Sequence, residues 1–440
     1  MAAPELTFKP SDTITEVRTY DIITPLFGGG VEPGQPDPIS VVRASEVRGQ
    51  LRFWWRATRG GQFGGDLQAM RNAELALWGG AATFDQQGKP ETGQSLVHVI
   101  VKVINEGTDE APFVVENRKV KERTQSGVPA YAAFPLQPSD EELRRWQSGM
   151  QVKTVRVGVS FQLNISFPEK SRKEVYAALW AWETFGGLGA RTRRGFGALR
   201  LTKIGDQAHT DLPPPQSDKA TQWLRKKLAQ HIPSSGQDWP KHVPHLSTEP
   251  RLKVLSNPDG RAGRAWLDVV TALRKFRQQR RNKNQINAFG HSDWPEPNAI
   301  RAYLKRPARG PHEQRKLPKF PRAQFGLPIV FHMAHDDKVN VTLQGARIEA
   351  SGKQEVIYRL ASPLILKPLA CSEQKALGLA VILEGVVLPE QLTLNSDLTS
   401  PSESPPVVSA ELTSRDTDEI PPMKGKGTTN VLDAFLSSLS

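Results

Sequence analysis

The chain has 440 residues, a formal net charge of +12, 38% apolar residues and a single cysteine. That length exceeds what one ordinary core holds, so two domains are expected; one thiol excludes an intramolecular disulfide framework and a cysteine zinc site, and points to a reducing, cytoplasmic setting. No stretch approaches the ~18 uninterrupted apolar residues of a membrane span, and the opening MAAPELTFKPSD lacks the basic and apolar runs of a secretory signal.

Residues 13–24, TITEVRTYDIIT, read as a first strand, rich in Thr, Val, Ile and Tyr. PLFGGG follows, with glycines that let backbone approach a ligand but without the Gly-Lys-Ser/Thr of a phosphate-cradling loop. Ser45 to Gly61, SEVRGQLRFWWRATRGG, reads as a helix. With Arg48 at 0°, Arg52, Arg56 and Arg59 fall near 40°, 80° and 20°, whereas Val47, Leu51, Trp54 and Thr58 fall between about −60° and −120°. One face is a guanidinium stripe, its neighbour is apolar, and Trp55 borders both. Such a stripe requires either an anion lying along it or carboxylates brought from elsewhere in the fold.

A second helix over 67–78 ends at Gly79-Gly80. Residues 95–104, SLVHVIVKVI, read as a strand, with His98 a core or edge histidine. Residues 105–151 form a polar insertion with Arg118, Lys119, Lys121, Arg123 and the run PAYAAFPL. It is either a thumb-like hairpin that reaches a partner or a disordered loop. From Val155 to Phe167 apolar and polar residues alternate strictly, as in a strand with one buried face. A helix carrying Val175, Leu179 and Trp182 stops at Gly186-Gly187, and 195–204 returns as a strand. Strand, helix, strand, strand, helix, strand is the ferredoxin-like order.

Residues 206–250 read as a linker with one short helix near Trp223–Leu228. A second half, 251–392, shows a strand at 251–255, a helix at 265–281 and strands at 327–332, 339–348, 355–366 and 379–387. The expected fold is therefore α+β: two ferredoxin-like (RRM-like) domains, 1–205 and 251–392, the second less regular. Composition predicts a disordered tail at 393–440, with VLDAFLSSL as a short docking helix.

Charge is not spread evenly. Residues 261–322 hold 16 Lys and Arg against 4 Asp and Glu, a surplus equal to the whole net charge of +12. A phosphate polymer is the usual partner of such a segment. A second basic element is GGLGARTRRGFG, Gly186 to Gly197, where glycines permit close backbone approach and Arg191, Arg193 and Arg194 supply charge. Its alternative is a tight helix-to-strand connection. Neither His332-x-x-His335 with Asp336 and Asp337 nor His242-x-x-His245 has metalloenzyme spacing, so no metal and no cofactor are expected. Asp21 and Asp37 stand near the first glycine-rich loop without a paired general acid.

TPLFGGG, SEVRGQLRFWWRATRGG and GGLGARTRRGFG together resemble the RAMP superfamily of CRISPR effector subunits. Trp54-Trp55-Arg56, PAYAAFPL, FGLPIVF at 325–331 and RLASPLILKP at 359–368 are similar to the first RAMP subunits of type III-B (Cmr) complexes. The resemblance implies a cytoplasmic, non-catalytic RNA-binding subunit of a ribonucleoprotein in antiviral defence. It implies guide RNA, target RNA and other RAMP subunits as partners, and a place near the guide 3′ end. A metal-independent RAMP-type endoribonuclease and an assembly adaptor with little RNA contact are the alternatives. The RNA-binding residues expected are Arg43, Arg48, Arg52, Trp55, Arg56 and Arg59 of the first helix. To these are added Gly187, Gly189, Arg191, Arg193, Arg194 and Gly195 of the loop, and Arg274, Lys275, Arg277, Arg280 and Arg281 of the basic segment.

Overall fold

The structure, a computed structural model, describes residues 12–28, 40–80, 93–123, 127–146, 152–233, 238–280, 291–307, 318–333, 339–348, 354–357, 359–396 and 406–439. The chain begins with β1 (Thr13–Ile22), α1 (Ala44–Arg59), α2 (Leu67–Trp78) and β2 (His98–Asn105). Asp66 caps α2 by accepting from the amides of Gln68 and Ala69, and Gly79 at φ 70° ends it. The expected insertion is structured where described. It carries β3 (Thr108–Glu110), the hairpin β4 (Phe113–Glu116) and β5 (Lys119–Glu122), and short helices α3 (Ala130–Ala133) and α4 (Asp140–Arg144); β6 (Val155–Val157) follows it.

The long alternation predicted from Val155 breaks at Gly158, which sits at φ 76°. Residues before it pair with β3, and the core strand β7 (Ser160–Pro168) starts after it. Phe161, Leu163, Ile165 and Phe167 are fully buried, as the period-2 pattern requires. Then come α5 (Arg172–Phe185), β8 (Leu199–Ile204) and β9 (Gln207–Ala208). The antiparallel sheet runs β2-β7-β1-β8, the ferredoxin-like order, with β9 added at one edge.

Residues 206–250 are not a linker. They contain α6 (Ser217–His231), whose Ala220, Leu224 and Leu228 enter the first core. Trp239 stacks on His245 with ring centroids 4.3 Å apart and donates from its indole to the Arg56 carbonyl. The apolar spacing of α6 outweighs the polar composition around it.

The second half forms β10 (Leu252–Leu255), α7 (Ala262–Arg277), α8 (Glu296–Tyr303), β11 (Ile329–Met333), β12 (Val339–Ile348), β13 (Gln354–Ile357), β14 (Leu364–Ala370), β15 (Ala376–Ile382), β16 (Gln391–Ser396), β17 (Val407–Val408), α9 (Ser414–Glu419) and α10 (Val431–Ser437). Only β10, β15 and β14 make the second ferredoxin-like sheet, in the order of that fold's first, third and second strands. Its fourth strand is replaced, because the chain leaves β15 for a separate sheet, β11-β12-β16-β17, with β13 on β12. The strand expected at 355–366 thus splits between two sheets. Alternation alone does not distinguish which sheet a strand joins.

Both faces of β14 and β15 are buried. Ile365, Leu369, Leu379 and Val381 share the first domain's core, whereas Leu364, Leu366, Ala380 and Ile382 pack with Trp266, Val269 and Leu273 of α7. The layers are therefore first sheet, helices α1, α5 and α6, second sheet, and α7. This explains why α5 buries Val175, Ala178, Leu179, Trp180, Trp182 and Phe185, which point to more than one side.

The expectation of a disordered tail is corrected for the described part, residues 406–439. The Phe435 ring of α10 lies 5.5 Å from Phe276 and 6.2 Å from Phe325, and Val431, Leu432 and Ala434 are buried beside it. Asn430 caps the helix. The i, i+1, i+3, i+4 apolar stripe decides the outcome against a Pro- and Ser-rich neighbourhood.

Candidate nucleic-acid interface

The apolar arc of α1 points inward as its helical angles require: Val47 and Leu51 are fully buried and Trp54 nearly so. The guanidinium arc is largely neutralised from within the fold. Arg52 and Arg56 both donate to the buried Glu74 of α2, Arg52 at 2.7 Å. Arg59 pairs with Glu174 of α5 at 2.7 Å and also donates to the His231 carbonyl. Arg48 donates to the carbonyls of Trp78 (3.3 Å) and Val97 (3.1 Å). Trp55 is 1% exposed, and its indole N–H donates to Glu174 at 2.7 Å. That corrects the expectation that it stacks a base: a residue at the border of two arcs was claimed by α5. Arg43 precedes the helix, half-buried; the Glu46 amide donates to its carbonyl, and the Glu46 carboxylate accepts from the Gly189 amide.

That last bond ties α1 to the glycine-rich loop. Gly189 (φ 77°) lies so close to the Phe27 carbonyl that a Cβ would come within 2.6 Å, and a Cβ on Gly195 (φ 86°) would meet the Trp266 indole at 2.4 Å. Gly187 lies against the Gly197 carbonyl. The loop docks onto the second sheet. Arg193 donates to the Ser362 carbonyl and lies over the Phe53 ring, and Arg194 donates to the Leu364 carbonyl at 2.8 Å. The Trp266 indole returns a bond to the Arg194 carbonyl at 2.6 Å. On the other side of β14, the buried ammonium of Lys367 caps α5 through the Gly186 carbonyl at 2.7 Å.

Part of this loop remains uncompensated. Arg191, Arg194 and Arg277 converge, with Tyr131 of the insertion beside them; Arg277 donates to the Tyr131 hydroxyl at 3.2 Å. Burial, reinforced by Arg277 and Arg191, pushes the Arg194 guanidinium down to about 9. Burial also lowers Arg191, which sits at φ 59°. The Nε atoms of Arg191 and Arg277 are buried without a hydrogen-bond acceptor. Among the described residues no carboxylate forms an ion pair with any of these three. Convergent cations with unfilled donors and no paired acid among the described residues leave positive charge that these residues do not compensate. Arg274 and Lys275 continue the positive surface, exposed on the last turn of α7. Arg280 pairs in a short bridge with Ser292, and Arg281 lies outside the described residues.

A groove of about 230 Å³ opens next to the cluster, between the insertion and α7, lined by Phe113, Tyr131, Phe134, Gln137, Arg274 and Gln278 among others. None of those insertion residues was singled out in sequence, although PAYAAFPL holds two of its aromatic rings.

The ferredoxin-like sheet itself does not supply stacking. Its face away from the helices pairs His98, Ser166 and Thr15, then Ile100, Asn164 and Val17, then Lys102, Gln162 and Thr19, with no Phe, Tyr or Trp and the His98 imidazole at the edge strand as its one ring. Asp21 is exposed at the end of β1, opposite Ser160 and Arg200, and Asp37 lies outside the described residues. His332 hydrogen-bonds Asn340, while His335, Asp336 and Asp337 lie outside the described residues. Among the described residues no group of three metal-ligating side chains converges, and no helix is long and apolar enough to cross a membrane.

Residues 19–200 match the model of the RAMP superfamily. The chain is 25% identical over 190 residues to the CRISPR system Cmr subunit Cmr1-2 of Pyrococcus furiosus, covering 42% of this chain and 93% of the relative. It is 23% identical over 172 residues to Cmr1-1 of the same organism, covering 39% and 44%. Among solved structures, apo Cmr1 from Pyrococcus furiosus aligns over 93% of this chain and 96% of its own at 15% identity, with a TM-score of 0.48. A chain of the type III-B Cmr-beta complex bound to cognate target RNA aligns over 97% and 99% at 11% identity, also with a TM-score of 0.48.

Proposed function

We propose that this chain, whose residues 19–200 match the RAMP superfamily, is a member of that superfamily and a non-catalytic, cytoplasmic RNA-binding subunit of a type III-B CRISPR effector complex. The curated relatives are Cmr subunits, and the assembly they are named for is the one proposed here. Its partners are then guide RNA, target RNA and the neighbouring subunits.

The observation that carries the RNA reading is the guanidinium cluster of Arg191, Arg194 and Arg277, with buried Nε donors unfilled and no carboxylate paired to it among the described residues. Phosphodiester oxygens supply the missing acceptors, and Arg274 and Lys275 extend the track along α7. The stripe on α1 acts differently from what its charge suggests. Arg52, Arg56 and Arg59 hold α2 and α5 in place through Glu74 and Glu174, so they shape the RNA-binding domain more than they touch RNA. Recognition of this kind reads backbone and shape, and leaves sequence to base pairing.

The test is affinity purification of the tagged full chain from its own cells, with mass spectrometry of the proteins and sequencing of the RNA that come with it. The reading expects other RAMP subunits together with short guide RNAs. Subunits without RNA would favour an assembly adaptor. Labelled RNA cleaved by the purified chain, with loss of cleavage in Asp21→Ala, would contradict the non-catalytic assignment.

A further inference from the structure

The groove beside the guanidinium cluster has features that phosphate binding alone does not explain. Phe134 leaves 67% of its surface exposed, although it stands in a folded segment between two buried neighbours, Ala133 and Leu136. Its ring borders a groove of about 230 Å³ whose other walls include Phe113 and Tyr131. That volume lies below the ~300 Å³ at which pockets for drug-sized ligands begin, so the occupant is small. The rim offers amide donors and acceptors from Gln137 and Gln278, one carboxylate from Glu122 and the exposed Arg274. Among the described residues, Arg274 makes no ion pair. Tyr131 is shared: one side lines the groove, and its hydroxyl accepts from Arg277 of the cluster.

A flat aromatic wall, a few neutral hydrogen-bonding groups, a cation at the mouth and a phosphate site next door match one chemistry. We propose that this groove takes a single unpaired nucleobase of the bound RNA, stacked on Phe134, with its flanking phosphates on Arg274 and on the Arg191–Arg277 cluster. The inference rests on the RNA-binding reading and adds to it a base-contacting site contributed by the insertion. Gln137, Gln278 and Glu122 have the donors and acceptors to engage the edge of that base, whereas stacking itself accepts any base.

The experiment compares two ligands on the full chain by fluorescence anisotropy: an oligouridine of about 20 nucleotides and an abasic ribose-phosphate oligomer of equal length. Wild type is expected to bind the oligouridine more tightly. Phe134→Ala is expected to weaken oligouridine about ten-fold and to leave the abasic oligomer unchanged, and Phe134→Trp to restore binding. Because Phe134 is exposed, the alanine variant folds as the wild type does. Oligouridine bound equally by wild type and Phe134→Ala overturns the base site while leaving the RNA reading standing, and assigns the groove to a protein side chain instead. Wild type that binds neither ligand overturns the RNA reading, and the base site with it.

Discussion

Trp55 shows how far a single side chain's role depends on what the fold brings to it. Its indole is enclosed by α1, α5 and the turn carrying Phe63, and its N–H is committed to Glu174. Trp55→Phe is expected to keep most of the packing and lose one hydrogen bond to a charged acceptor, a destabilisation of about 1–3 kcal/mol. Trp55→Ala leaves a cavity and costs about 3–5 kcal/mol. Urea unfolding measures both, and RNA affinity of the folded Phe variant should equal that of wild type. Full stability with weakened RNA binding would return Trp55 to the nucleic acid. Lys367 is a second such residue. Burial pushes its ammonium down from 10.5 to about 7. Between those two values the unfolded chain holds a proton that the folded chain has released. The contribution of this group to stability therefore rises with pH across that window and is lowest below it. In Lys367→Met that part of the slope disappears. Unfolding midpoints of both proteins at about pH 7 and about pH 10 check this, and identical slopes would contradict it.

Among the elements, α10 makes the clearest demand. It begins at Val431, 154 residues after α7 ends at Arg277, yet its Phe435 closes the ring cluster formed by Phe276 and Phe325. Each buried Val, Leu or Phe contributes about 1.5–3 kcal/mol, so removing Val431, Leu432 and Phe435 takes away about as much as a domain's whole net stability. A chain ending after Lys424 is expected to unfold at much lower urea or to aggregate, and Phe435→Ala to lose about 3–5 kcal/mol. Unchanged midpoints in both would show the helix to be ornamental. This element also marks the limit of what sequence made legible. The strands and helices of the first domain follow from period-2 and period-3.6 patterns that are local. The inward arc of α1 was equally readable. The partners of its outward arc were not, because Glu174 stands 115 residues from Arg59 and no local pattern joins them. The loop at Gly187–Gly197 was recognised as constrained and basic, but its docking on β14 depends on a strand some 170 residues away. In the tail, the apolar stripe at 431–439 is legible as a docking helix, whereas the ordering of the described segment before it is not, because its composition reads as disordered.

At the scale of the whole molecule, the two ferredoxin-like units share a core across α5 and act as one body. The loop between α5 and β8 is the seam: Arg193 and Arg194 fasten the second sheet, and Arg191 of the loop and Arg277 of α7 both stand near Arg194. Arg277 of the basic segment 261–322 and the basic loop at 186–197 therefore meet at one place, a convergence that sequence suggests only as two separate basic stretches. Under the proposed function, a seam built this way makes RNA binding depend on the docking of the two halves. The proposed function places phosphates in that seam. Its most direct test is the affinity of the full chain for single-stranded RNA across a salt series, in wild type and in the Arg191→Gln, Arg277→Gln double variant. Losing two phosphate contacts should reduce the magnitude of the log–log salt slope by about 1.4, at about 0.7 per contact on a single strand, and weaken binding at low salt. A folded double variant with the wild-type slope and affinity would contradict the account.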